Sequence, residues 1–109
     1  MTGDQNLASV ARRMIAMRKH RKALFPSELF DEYAWNMLLH LFVSHADNAS
    51  VVEARLIQLA DAAPETGRRW VRQLVEDGQV RVAGEDVTLA PEAVQRLRDF
   101  LRDCDAAAI

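Results

Sequence analysis

The sequence predicts a mainly α-helical domain carrying one small β-hairpin. Apolar residues recur at helical spacing in residues 7–22, 32–45, 50–60, 64–77 and 91–104. Two short alternating segments, VRV and VTL, follow the fourth of these runs and are separated by Gly84-Glu85, which is a hairpin signal. The third and fourth runs are joined only by Asp61-Ala62-Ala63 before Pro64, so they read as a helix-turn-helix. A helix-turn-helix followed at once by a hairpin is the sequence form of a winged helix. It occupies residues 31–90 of a single domain of residues 1–109.

Half of the residues are hydrophobic, enough to bury a core, and the 28% charged fraction is ordinary for a soluble chain. The formal net charge is −2, whereas dedicated nucleic-acid binders are often basic, so any attraction for phosphate must come from a local cluster. The single cysteine, Cys104, cannot close an internal disulfide. No apolar run approaches membrane-spanning length and the N-terminus has no signal-peptide core, so the expected location is the cytoplasm, with no membrane partner.

Residues 1–6 are polar. From Leu7, the positions Leu7, Val10, Ala11, Met14 and Met17 make an amphipathic helix of residues 7–22. Arg12, Arg13, Arg18, Lys19, Arg21 and Lys22 crowd the same segment, with no acid between Asp4 and Glu28. Such a run is often only a solvated face; the functional reading makes these six candidate phosphate contacts, because DNA would neutralise their mutual repulsion. Pro26 ends the helical pattern, residues 27–30 read as a short turn, and Asp31 is the expected N-cap of the next helix.

Ala34, Trp35, Leu38, Leu39, Leu41 and Phe42 make residues 32–45 apolar over much of the circumference, as a central buried helix requires. Trp35 is therefore expected in the core. His40 and His45 are five apart and do not share a helix face. No carboxylate or cysteine completes a zinc-like set, so no metal is expected. Ser50 and Glu53 match a capping box, which places the start of the third helix at Ser50, with Val52, Leu56, Leu59 and Ala60 on its buried face.

The fourth helix carries the readable chemistry. Pro64 suits a first helical turn and Glu65 complements the helix dipole there. Gly67, Trp70, Val71 and Leu74 form the inward stripe, the glycine implying a close helix crossing, and Asp77-Gly78 ends the helix with a left-handed cap. The outward set is Glu65, Thr66, Arg68, Arg69, Arg72 and Gln73. A recognition helix presents such residues to the major groove, where arginine pairs bidentately with guanine and Gln or Thr reads other edges or holds phosphate. The plainer alternative is a surface helix solubilised by three arginines.

The run PETGRRWVRQLVEDGQVRV…VTLAPEA resembles the recognition helix, wing and following helix start of MarR-type transcriptional regulators. LFPSELFDEYAWNMLLHLF resembles the helix that precedes the motif in short bacterial members of that group, so the likeness covers roughly residues 24–100. The resemblance implies a DNA-binding transcriptional regulator that dimerises through its terminal helices, residues 7–22 and 91–104. Its partners would be double-stranded DNA and a second copy of the chain. The wing departs from the family: Ala83-Gly84-Glu85-Asp86 is short and acidic at its tip, with Arg81 the only basic residue of the hairpin and the remaining candidate DNA contact. Carboxylates near phosphates repel them. A second reading follows, a winged-helix module that contacts another protein.

The last helix opens at Pro91 with Glu92 at its positive end and an apolar face of Ala93, Val94, Leu97, Phe100 and Leu101. Cys104 stands in no nucleophile signature and reads as a bystander. No catalytic constellation or phosphate-cradling glycine loop can be assembled, so neither an enzyme nor a cofactor is expected.

Overall fold

The computed structural model describes residues 3–24 and 32–108, with the side chains of residues 7–21, 23 and 32–104. Its helices are α1 (Gly3–Leu24), α2 (Glu32–Ala46), α3 (Glu53–Leu59), α4 (Pro64–Glu76) and α5 (Pro91–Ala108). A three-stranded antiparallel sheet of β1 (Val51–Val52), β2 (Val80–Ala83) and β3 (Asp86–Leu89) has the order β1-β3-β2. This is a winged helix. The expectations for Pro26, residues 27–30 and Asp31 lie outside the described residues.

The core is built on α2. Ala34, Met37, Leu38 and Leu41 are buried, Trp35 is 8% exposed, and Leu39 and Phe42 pack against them. Leu56, Ile57 and Ala60 of α3, Val71 and Leu74 of α4, and Ala93, Val94, Leu97 and Phe100 of α5 close around it. The sheet adds Val51, Val80, Val87 and Leu89, which share its inner face by register: Val51 and Val82 each oppose Val87, and Val80 opposes Leu89. Trp70 is half-buried, not buried as expected. At about 100° per residue it falls roughly 60° to one side of the line through Gly67, Val71 and Leu74. Its ring therefore lies on the shoulder of the buried stripe.

The third helix does not begin at Ser50. Val51 and Val52 are a strand, the N-cap is Val52, and no side chain caps the helix. The amide of Glu53 donates instead to the Glu85 carbonyl at 2.9 Å. Pairing with β3 thus takes the backbone that a capping box would have used. Val52 consequently points outward, 42% exposed, and Ile57 takes a place in the core.

Three successive helices end in the same way. In α2, α3 and α4 the residue after the cap has a positive φ (Asn48 55°, Asp61 59°, Gly78 73°). The amide of the next residue then reaches back to the third-last helical carbonyl: Ala49 to Ser44, Ala62 to Ile57, Gln79 to Leu74. This Schellman arrangement satisfies carbonyls that helix ends leave open. In α3 it produces the tight turn that swings the chain into α4. The crossing of α3 and α4 is close because position 67 has no side chain: a Cβ there would lie within 3.0 Å of Ile57 Cβ and nearer still to its branches.

Candidate nucleic-acid interface

The helix-turn-helix sets which side of α4 is free. Pro64 occupies its first turn, Ala63 is the N-cap, and Gly67, Val71 and Leu74 face the core. Glu65, Arg68, Arg69 and Arg72 are exposed; Thr66 and Gln73 are half-exposed. None of the three arginines makes an ion pair among the described residues. Exposed, unpaired guanidiniums keep all their donors available for an anion. The structure thus leaves these side chains on the open side of α4, with two qualifications. Gln73 Nε2 donates to both carboxylate oxygens of Asp77, at 3.1 and 3.2 Å, so its amide is already engaged. Arg68 faces the wing, where it lines a cleft of about 290 Å³ with Glu53, Ile57, Gly84 and Glu85.

The wing is held close to the body. Gly84, at φ 62°, takes the first position of a two-residue turn, the place where such a hairpin needs glycine. The Glu85 carbonyl is tied to the start of α3, as described above. Glu85 is exposed across the cleft from Arg68, Asp86 is exposed at the start of β3, and Arg81 is exposed opposite Thr88 on the outer face of the sheet. A tip so short and so acidic offers phosphate little. Sequence reasoning passed over Arg55, exposed on α3 with its Nη1 donating to Gln58 Oε1 at 3.4 Å. Its signal was an isolated arginine on the helix that crosses α4.

The basic run of α1 does not form one face. Arg12, Arg18 and Lys19 are exposed, and Arg13 is half-exposed in a groove against α5. Arg21 is not available to phosphate: it is 9% exposed, its guanidinium carbon sits 4.9 Å from the Trp35 ring centroid, and Nη2 lies 3.5 Å from Glu32 Oε1. It is four residues beyond Met17 and so shares the side that packs on the body. His20, beside it, stacks on Phe100 with ring centroids 5.6 Å apart and places Nε2 2.8 Å from Asp103 Oδ2. The side chain of Lys22 lies outside the described residues.

The α1–α5 groove, about 210 Å³, is lined by Arg13, Ala16, Met17, His20, Asp103 and Cys104. Burial pushes the Cys104 thiol pKa up and the Asp103 carboxylate adds to the shift, so the thiol stays protonated and weakly nucleophilic. Among the described residues no group of three or more His, Cys, Asp or Glu could hold a metal ion, and no helix is long and apolar enough to cross a membrane.

The fold is shared with a solved structure. The chain matches the crystal structure of ligand-free NadR with a TM-score of 0.64 and 13% identity, over 99% of this chain and 76% of that one. Identity that low shows a common fold and nothing finer. By sequence, no family profile and no curated protein matches the chain.

Proposed function

We propose that the chain is a sequence-specific DNA-binding transcriptional regulator of the MarR type, a cytoplasmic homodimer that inserts α4 into the major groove. The observation that carries this reading is the outer side of α4. Arg68, Arg69 and Arg72 stand exposed and unpaired there, on a helix whose opposite side is fixed by Gly67, Val71 and Leu74. Arg69 is assigned to a base edge. Arg72, farther along the helix, is assigned to a phosphate.

With a footprinted site in hand, Arg69→Ala should lower specific affinity by about 1–3 kcal/mol and relax the preference at one base position. Arg72→Ala should weaken all sequences alike and flatten the salt dependence by about one unit. Glu85→Lys should strengthen nonspecific binding, because it removes a negative charge from the wing tip. Full affinity in both arginine variants, with the fold intact, would sink the assignment of α4.

The dimer rests on α1. Leu7, Val10 and Met14 are 66, 40 and 62% exposed along one side of it, with Arg18 among them, and Ile15 on the neighbouring side is 57% exposed. A two-fold partner that covers them with its own α1 satisfies the symmetry most oligomers adopt; the apolar face expected of α5 does not take part, because Ala93, Val94, Leu97 and Phe100 lie in the protomer core. Light scattering at micromolar concentration should report about twice the 12.3 kDa chain mass. A clean monomer across that range excludes the dimer.

The second reading, a protein-binding module without enzymatic activity, is favoured by the acidic wing tip and by Val52 and Val82, each 42% exposed. Titration of a nonspecific duplex separates the two. Phosphate-driven binding falls steeply as salt rises, and a module specific for protein shows no duplex binding at any salt.

A further inference from the structure

Charge is divided unevenly along this molecule. Residues 3–24 hold six basic residues against one acid, Asp4, a net of +5; residues 32–104 hold eight against twelve, a net of −4. The body that presents α4 is thus itself acidic, and the positive field belongs to α1. Uneven charge between two parts of a chain points to a polyanionic partner for the basic part.

The geometry of α1 says which residues meet it. At about 100° per residue the helix has three sides. Arg13, Met17 and His20 turn toward α5, and Leu7, Val10 and Met14 form the apolar side. Arg12 and Lys19, seven residues apart, share the third, with Ile15, 57% exposed, between them. They are exposed and make no ion pair among the described residues. Two turns of helix separate them by about 10.5 Å.

We propose that this third side is an arm for the phosphate backbone of duplex DNA, held by Arg12 and Lys19. The inference rests on the DNA-binding reading and adds a division of labour to it. The arm supplies attraction that the acidic body lacks, and α4 supplies discrimination. A lipid surface fits less well. Arg18 is exposed and follows Met14 by four residues on the apolar side, so no side of α1 offers the broad uninterrupted apolar face that an interfacial helix buries.

The test is fluorescence anisotropy of the full-length protein on a labelled nonspecific duplex, between about 50 and 200 mM salt. The wild type is compared with an Arg12→Gln/Lys19→Gln variant, whose substitutions preserve helix propensity. Two lost phosphate contacts in each protomer, four in the dimer, should flatten the log–log slope by about 3.6, so that the wild type loses roughly a hundredfold more affinity than the variant over that range. Discrimination between specific and nonspecific duplex should stay unchanged. An unaltered slope overturns the arm, and if Arg69→Ala still loses specificity the reading of α4 survives it. A wild type that ignores the duplex at low salt, yet binds vesicles containing phosphatidylserine or an acidic protein, overturns both.

Discussion

Phe100→Ala is expected to destabilise the protein by about 3–5 kcal/mol, the range for truncating an aromatic in a packed core. Phe100 is 6% exposed and belongs to α5, yet its ring serves three helices at once. The Trp35 ring of α2 meets it edge-on at 5.2 Å with an interplanar angle of 88°, and His20 of α1 stacks on it at 5.6 Å and 18°. Trp35 in turn lies under the Arg21 guanidinium. The docking of α1 therefore depends on a chain of ring contacts that begins at Phe100. Removing the ring leaves a cavity and takes away the surface against which His20 rests. Urea titration gives the stability loss, and the fluorescence of Trp35 should shift to longer wavelength as its neighbour disappears. Phe100→Leu, which keeps most of the volume, should cost clearly less. A loss below about 1 kcal/mol for the alanine variant would show that α1 and α2 do not meet across this ring.

Much of the fold could be read from residue spacing, and the exceptions share one cause. α4 was legible because Pro64, the Gly67/Val71/Leu74 stripe and Asp77-Gly78 are local signals, and local hydrogen bonds satisfy them. β1 was not legible: two residues carry no period, and Val51 becomes a strand only because Val87 lies across from it, far along the chain. The Ser50/Glu53 match failed for the same reason, since the carbonyl that receives the Glu53 amide belongs to the wing tip. Arg21 looked like its basic neighbours until Trp35 and Glu32 were brought to it. Gln79, just before β2, is 2% exposed, and its carbonyl accepts the amide of Ala90 at the far end of the hairpin, a contact that no local signal announces. The exposed side of α4 was easier to read. An outward face is what remains once the inward stripe of a helix is known, so Glu65, Arg68, Arg69 and Arg72 needed no long-range contact to be found.

Gly67→Ala should destabilise the protein by about 2 kcal/mol, although alanine is the better helix former. The two effects have opposite signs and different sizes. Alanine in a helix interior gains about 1 kcal/mol over glycine. Against that, the added methyl would fall among Cβ, Cγ1 and Cγ2 of Ile57, with Cβ itself at 3.0 Å. Ile57 is branched at Cβ and 6% exposed, so it has no free rotamer into which to retreat. α3 and α4 must then move apart, and overpacking of that kind costs about 1–3 kcal/mol, here at the upper end. Most of that cost should vanish once Ile57 is shortened. In an Ile57→Ala background the two shortest contacts, Cγ1 and Cγ2, are gone and only the Cβ remains, at 3.0 Å, so Gly67→Ala should become about neutral. Four urea titrations complete the cycle; equal effects of Gly67→Ala in both backgrounds would refute the close crossing. DNA affinity supplies an independent readout, because α4 carries Arg69 on the side opposite Gly67. A crossing wedged apart should shift that arginine and weaken specific binding in the single variant, and the Ile57→Ala partner should restore much of it.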